Sequence, residues 1–496
     1  MNMAVEIADV VIVGTRCAGS AAAVPLARAG HRVVVVDKAK FPSDTMSTHV
    51  LVPNGVQELQ LMGALPGILA LNPTKVRRLA LYDGDLHVEE RFRPFMGIDY
   101  GVCVPRDQQD QVLVEAARAA GADVRERTAV TEVVWRHGRA VGVACRESGG
   151  REYELQAKLV IGADGRKSRI AAEVGSDQPY RASANGRGFA FRYVDDPLGE
   201  DAPRAYEIYR FNGHQVLVLP SAPVGRTLVV NMTACENIAA YKTDPEETWA
   251  ALIAEDPSLS KRMSGATNMS NIRTTTDLSA YYRRSSGPGW ALAGDAGHFK
   301  DPTTGNGMRD ALKFGRLLGE AAATTLDRPA ALDAALQAWE AARDKDTIST
   351  YHWGNRESRP GASTALVREV LRTFAGSDEP NLSDTFNRAR PIEAIITPAR
   401  MMRGLARVLR SGSAARQGVL RELRSEVPLE WGARRHRLID GFRSTRPTGT
   451  ERDGWSVGTG KEPSWRPASD PVERGDSMSA RDALTSSPSS SGGTAA

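Results

Sequence analysis

The chain has little of what marks several protein classes. Its 496 residues hold four cysteines, Cys17, Cys103, Cys145 and Cys235, with no CxxC pair and no cluster at metal-ligand spacing. That pattern excludes dithiol chemistry and any sequence-evident metal centre, and reads as small buried hydrophobes in a reducing compartment. No run approaches the roughly 18 apolar residues of a membrane span. Met1 to Ala8 carries no basic segment followed by an apolar core, so a cytoplasmic location is expected. Charge of one sign is also scarce: 64 basic against 60 acidic residues leave +4, too weak to predict a nucleic-acid partner, which needs a concentrated basic face.

What is present is enough apolar material, 41% of the residues, to bury a large core in two or more packed domains. The run DVVIV (9–13) is short, β-branched and uninterrupted, as suits a strand buried on both faces of a parallel sheet. A helix is expected over Ala18 to Ala29, kinked or shortened by Pro25 and ended at Gly30, followed by a second buried strand, HRVVVVD (31–37). Further on, a helix is predicted over Gln108–Ala120 with Gly121 after it, a strand over 123–128, a hairpin turning at His137–Gly138, and a buried strand over Leu159–Gly162. Between about 180 and 280 the segments GFAFRYV, AYEIYRF, HQVLVLP and RTLVVNMT predict an inserted antiparallel sheet. WALAG (290–294) then returns to the buried parallel type. Helices are predicted over 305–323 and 328–345.

The C-terminal third is different. Residues 388–443 carry 13 Arg and no Lys against 5 acidic residues over a helical pattern. The plain reading is a solvated or docking face; the alternative is a peripheral membrane or anionic-partner patch. Residues 446–496, with 22 Pro, Gly or Ser, predict a disordered tail.

The chemistry begins at Gly14-Thr15-Arg16-Cys17-Ala18-Gly19, a turn from strand to helix in which the middle glycine of a dinucleotide fingerprint is replaced by Arg16. Asp37, followed by Lys38, stands 23 residues after Gly14 at the end of the second strand, where a carboxylate can accept hydrogen bonds from an adenosine ribose. The Arg16 guanidinium either meets a diphosphate or points to solvent.

Two more segments follow in order: VIGADG (160–165) with Ser168-Arg169, and Gly294-Asp295-Ala296-Gly297-His298 with Pro302, Gly305 and Gly307. Over roughly residues 9–340 the chain thus resembles the flavoprotein aromatic hydroxylases of the p-hydroxybenzoate hydroxylase type. The resemblance implies an α/β architecture: a discontinuous Rossmann-like FAD-binding domain of the GR2 type (1–82, 100–178, 281–345), an inserted antiparallel substrate domain (83–99, 179–280) and a C-terminal helical region (346–445). It implies that Asp295 binds the flavin ribitol and that Asp164 and Gly165 serve FAD and NAD(P)H. It further implies that Arg106 contacts FAD, a salt bridge to Asp107 or Asp110 being the alternative. The turn Pro302, Gly305, Asn306, Gly307 and Met308 would present helix N-terminal amides to the pyrimidine edge of the flavin.

The same resemblance implies a monooxygenase of secondary metabolism. NADPH or NADH would reduce FAD, molecular oxygen would add at the flavin C4a position as a hydroperoxide, and an apolar or aromatic small molecule would be hydroxylated or epoxidised. His49, in SDTMSTHVLVP (43–53), is the candidate catalytic residue, a structural histidine being the alternative. Tyr209, Phe211 and Leu217 either roof the substrate cavity or pack the core. The segments expected of a flavin halogenase (WxWxIP) and of an isoprenoid reductase (YxWxFPK) are not in the sequence. The rivals kept are therefore a reductase or dehydrogenase, a halogenase, and a non-enzymatic flavin-binding redox module.

Overall fold

The computed structural model describes residues 4–199, 202–358, 363–375, 377–410 and 419. Two valine runs, Val10–Val13 and Val33–Val36, are buried along their whole length. They sit inside a six-stranded sheet of order 286–287, 290–292, 159–162, 10–13, 33–36, 123–125, parallel except at the first edge. Its register aligns Val13 with both Val36 and Gly162, and Gly162 with Leu292. Three loops far apart in sequence therefore leave the sheet side by side at its carboxyl edge, where open α/β sheets bind ligands.

The helix Cys17–Arg28 packs along Gly307–Ala323. Pro25 lies inside the first helix without shortening it, against expectation, because the partner helix makes room. A Cβ on Gly319 would stand 2.6 Å from the Pro25 ring, and one on Gly315 would stand 2.5 Å from the Ala18 carbonyl. Two glycines one turn apart thus let the backbones approach at a distance no larger residue allows.

The hairpin forms as expected, with His137 and Gly138 both at positive φ, the conformation that matches strand twist in a two-residue turn. It belongs to a separate four-stranded sheet completed by 152–156 and by Ala4–Ile7. The inserted sheet has seven strands in the order 273–275, 187–195, 226–234, 214–220, 206–211, 78–83, 86–91, antiparallel except between 206–211 and 78–83. Strand alternation gives it two faces. Phe189, Phe191, Ile208, Leu217, Leu219, Leu228 and Val230 share one core cluster; Ala190, Val194, Tyr209, Val216 and Val229 share another with the helices around Trp249 and Leu259.

The helix predicted to stop at 345 runs unbroken from Pro329 to Glu357, across the boundary placed at 345/346. It delivers Trp353 to the first face of the inserted sheet, where Phe374, Leu382, Phe386 and Ile395 join it. At about 2 kcal/mol for each large apolar side chain removed from water, these five contribute about 10 kcal/mol, comparable to the net stability of a whole domain. The helices after 345 are therefore part of the core. Among the described residues of the Arg-rich segment, several guanidinium groups are held by partners within the chain. Arg388 pairs with Asp310 and Asp346, Arg390 with Glu379, and Arg407 with Glu369, while Arg400 donates to the Ile395 carbonyl. Residues 411–418 and 420–496, which include the predicted tail, lie outside the described residues.

Candidate functional site

The three motif segments converge at the carboxyl edge of the parallel sheet. Gly14 adopts φ +99°, and a Cβ there would lie 2.4 Å from the Ala163 carbonyl oxygen. Only glycine meets both conditions, and the first turn is thereby seated on Ala163–Asp164. Gly294 sits over Ala18 in the same way, with 2.8 Å from its missing Cβ to the Ala18 methyl.

Within this edge the acidic residues divide by what already occupies them. Asp37 accepts from the Thr15 amide and hydroxyl, both at 2.8 Å, and from the Ala39 amide at 2.8 Å, so it fixes the first turn. Lys38 beside it is exposed. Asp164 accepts from Ser168 Oγ and the Arg169 amide, both at 2.6 Å, and from the Ile170 amide. It thus satisfies the start of the helix Arg169–Glu173, and Gly165 follows at φ +82°. Asp295 differs: among the described residues its carboxylate has no hydrogen-bond donor. Burial pushes its pKa up, opposed by Arg166, Arg106, Arg283 and Lys300. A carboxylate held among four cations without a direct donor fits the hydroxyls of a sugar or ribitol chain.

Arg16 does not simply point to solvent. Its guanidinium donates to the Ser43 carbonyl (2.8 Å) and hydroxyl (3.0 Å), to the Asp44 carbonyl (3.3 Å) and to Asp110, and covers the Phe41 ring. It clamps the segment 41–44 onto the first turn. Asp110 is also the partner of Arg106, through Nε at 3.1 Å and Nη2 at 3.0 Å, so the salt-bridge reading of Arg106 describes this geometry. Arg106 Nη1 has no partner among the described residues. Cys17 lies beneath, its thiol kept neutral by burial at a pKa of about 11.

The loop after Asp295 reaches the inserted sheet. Asp301 accepts from the Thr303 amide (2.9 Å) and from Asn185 (3.0 Å). Pro302–Thr304 form one tight turn, Gly305 is left-handed, and Gly307 begins the helix that carries Met308. Asn306 donates to the carbonyls of Thr304 (2.6 Å) and Phe386 (3.2 Å), while its Oδ1 is buried without a partner. Behind the helix start, Asp310 gathers Lys300, Arg309 and Arg388, and these cations hold its carboxyl well below the usual range despite burial.

His49 faces this loop across the site. It is fully buried at φ +58°, a conformation uncommon outside glycine, with Nδ1 against the Tyr193 hydroxyl, Phe191 edge-on at 5.3 Å, and Nε2 unpartnered. Burial, with Arg106 adding to it, brings its pKa down to about 3, and burial drives that of Tyr193 far upward, so the pair is uncharged at neutral pH. His298 is buried against Tyr282 (4.3 Å) and likewise neutral.

A cavity of about 520 Å³ lies between the inserted sheet and the C-terminal helices, and two of its lining residues, Gln215 and Phe386, touch Thr303 and Asn306 of the turn. Trp353, Leu366, Val370, Phe374 and Met401 line it, together with the charged Arg210, Glu357 and Arg368. Of the three sheet residues expected to roof a substrate space, Phe211 lines this cavity, Leu217 packs in the core facing it, and Tyr209 points to the opposite face, its hydroxyl on Glu207 at 2.6 Å. Tyr209 is corrected by simple alternation, since Ile208 takes the inner face. Tyr193, Arg187 and Gln215 went unread in the sequence, although the period of two from Phe189 and Leu217 points to them. The cavity wall made by 353–401 had no sequence signal.

The model of a family described as an FAD binding domain matches residues 7–344. The digeranylgeranylglycerophospholipid reductase of Methanosarcina acetivorans is 25% identical over 404 residues, covering 78% of this chain and 90% of its own. The menaquinone reductase of Mycolicibacterium smegmatis is 27% identical over 328 residues, covering 63% and 76%. Among solved structures, the myxobacterial chondrochloren halogenase CndH superposes with a TM-score of 0.65 at 22% identity, over 81% of this chain and 97% of its own. That last likeness is one of fold.

Proposed function

Because the chain belongs to the FAD binding domain family of the p-hydroxybenzoate hydroxylase type, and is an FAD-dependent oxidoreductase, we propose that it is a monooxygenase for a mainly apolar small molecule, drawing electrons from NADPH or NADH. The observation that supports this reading is the cavity of about 520 Å³, where Trp353, Leu366, Val370, Phe374 and Met401 form an apolar wall and Gln215, in its lining, meets Thr303 of the turn that precedes the helix at Gly307. Bound FAD supplies two-electron transfer and, once reduced, the activation of oxygen.

The chain's own residues bind and exclude. Asp295 would accept the ribitol hydroxyls of a bound FAD, and the seated turn at Gly14 with Arg106 would hold its nucleotide end. The amides following Gly305 would offer the positive end of a helix dipole to the flavin ring. His49 and Tyr193, a buried uncharged pair behind the cofactor site and outside the cavity lining, leave no charge there to draw water in.

A second reading is favoured by one observation. The curated relatives in Methanosarcina acetivorans and Mycolicibacterium smegmatis are reductases, aligned over 90% and 76% of their own lengths. On that reading the same cavity holds an apolar chain whose double bond is reduced. The two separate in one experiment on purified holoprotein, with NADPH and a panel of aromatic and polyprenyl compounds, with and without oxygen. Oxygen-dependent product one oxygen atom heavier supports monooxygenation; product two hydrogens heavier, formed without oxygen, replaces it by reduction. Flavin that NADPH and NADH never reduce sinks both.

A further inference from the structure

The inner face of the inserted sheet is apolar by alternation until one end, where three residues break the pattern. Arg187 precedes Phe189 and Phe191 on one strand, Gln215 precedes Leu217 and Leu219 on another, and Arg210 follows Ile208 on a third, directly opposite Gln215. All three line the cavity. Arg210 is accounted for by Glu357 at 3.0 Å, as Arg368, at the far wall, is by Asp83 at 3.3 Å. Arg187 has no carboxylate at salt-bridge distance among the described residues; Asp301 and Glu357 lie near enough to oppose the downward push of burial on its pKa. Buried to 4% exposure, it donates from Nη1 to the Glu357 carbonyl at 3.1 Å, while Nε and Nη2 have no acceptor. Gln215, at 5% exposure, accepts from Thr303 through Oε1, and its Nε2 is equally without a partner.

Buried polar groups are normally satisfied. Two residues in one cavity wall, with three donor atoms unused among the described residues and Trp353, Phe374 and Phe386 in the same lining, form half of a recognition site. We propose that Arg187 and Gln215 bind the oxyanion head, a carboxylate or phosphate, of an amphiphilic substrate whose apolar body fills the cavity toward Leu371 and Met401. This rests on the cavity being the substrate site. The guanidinium fork gives the head a bidentate, charge-assisted anchor, and Gln215, which touches Thr303, ties that anchor to the turn at 302–306.

The test is calorimetric titration of the FAD-loaded protein with dodecanoate, dodecyl phosphate and 1-dodecanol, which share one apolar body and differ in the head. Wild type should bind one of the two anions at least tenfold more tightly than the alcohol, and the tighter anion names the head. Arg187→Met should bring all three within about twofold while leaving alcohol binding unchanged; Arg187→Lys should keep part of the preference, and Gln215→Leu should lose a smaller part. The Arg187→Met holoprotein should also unfold at or above the wild-type temperature, because a buried guanidinium with two unused donor atoms has been removed. Equal binding of the three probes by wild type, a preference that survives Arg187→Met, or a lowered unfolding temperature would overturn the proposal. If no probe binds, or if Leu371→Trp leaves binding intact, the assignment of the cavity as substrate site fails first and takes this inference with it.

Discussion

At the start of the helix Gly307–Ala323, Asp310 is surrounded by Lys300, Arg309 and Arg388, with Asp346 closing the set. In the cavity wall, Arg187 and Gln215 keep donors that no group among the described residues accepts. Both regions are buried and both carry guanidinium groups, yet one is closed within the chain and the other is left open. The difference separates scaffold from site: a charge network that must hold a loop in place is completed internally, whereas groups meant for another molecule remain incomplete until it arrives. Asp295, Asp37 and Asp164 repeat the contrast at the sheet edge. Only the first has a carboxylate free of protein donors.

The contrast breaks most visibly at Asp310. Asp310→Ala leaves three buried cations facing one another, and should cost about 3–5 kcal/mol in urea unfolding of the holoprotein, the usual consequence of removing one partner of a buried pair. A loss under 1 kcal/mol would mean that the network is no scaffold. Next comes flavin retention. Asp295→Ala should weaken FAD binding by tenfold or more, about 1.4 kcal/mol, measured by equilibrium dialysis. Arg16→Gly should weaken it less, since Arg16 is spent on Ser43, Asp44 and Asp110; the reverse order would move the site toward the first turn.

A pH series probes the neutral pair. The His49 pKa falls from an unfolded value near 6.5 to about 3 in the folded chain. The unfolded chain therefore binds a proton below about 6.5 that the folded chain refuses until about 3. The associated stability is fully present above pH 6.5 and is lost as pH falls through that window, at up to about 1.4 kcal/mol per pH unit. His49→Gln should flatten the fall in stability between pH 6 and 4 by a like amount in urea titrations; an unchanged slope would mean that His49 is already protonated in the native chamber. The smallest effect is expected at Ser168, whose hydroxyl caps the helix Arg169–Glu173. Ser168→Ala should cost about 1 kcal/mol in the same assay without altering FAD affinity.

Much of this molecule is legible locally. Valine runs, the Gly14 turn and the period-two strands of the insertion carry their own signals, because a strand buried on both faces and a strand buried on one leave different patterns in the chain. The strand Leu159–Gly162 and the strand His214–Pro220 fall on the residues expected. Side-chain partners are another matter. Asp37, Asp164 and Asp295 look alike as acidic residues near strand ends, and Thr15 and Ser168 decide which of them is spent. Arg16 stands where a glycine was expected, and only the fold brings Ser43 and Asp110 to it.

The sequence by itself determined the parallel sheet, the inserted antiparallel sheet and the cofactor class, since each follows from short-range spacing that the backbone must obey. The tertiary structure alone decided that residues 346–410 help wall the cavity, that their arginines close on carboxylates up to 287 residues away in the chain, and that Arg187 has none at salt-bridge distance among the described residues. The reason is physical: burial and pairing belong to positions in space, and a charge is paid for or left unpaired only by what the fold sets beside it.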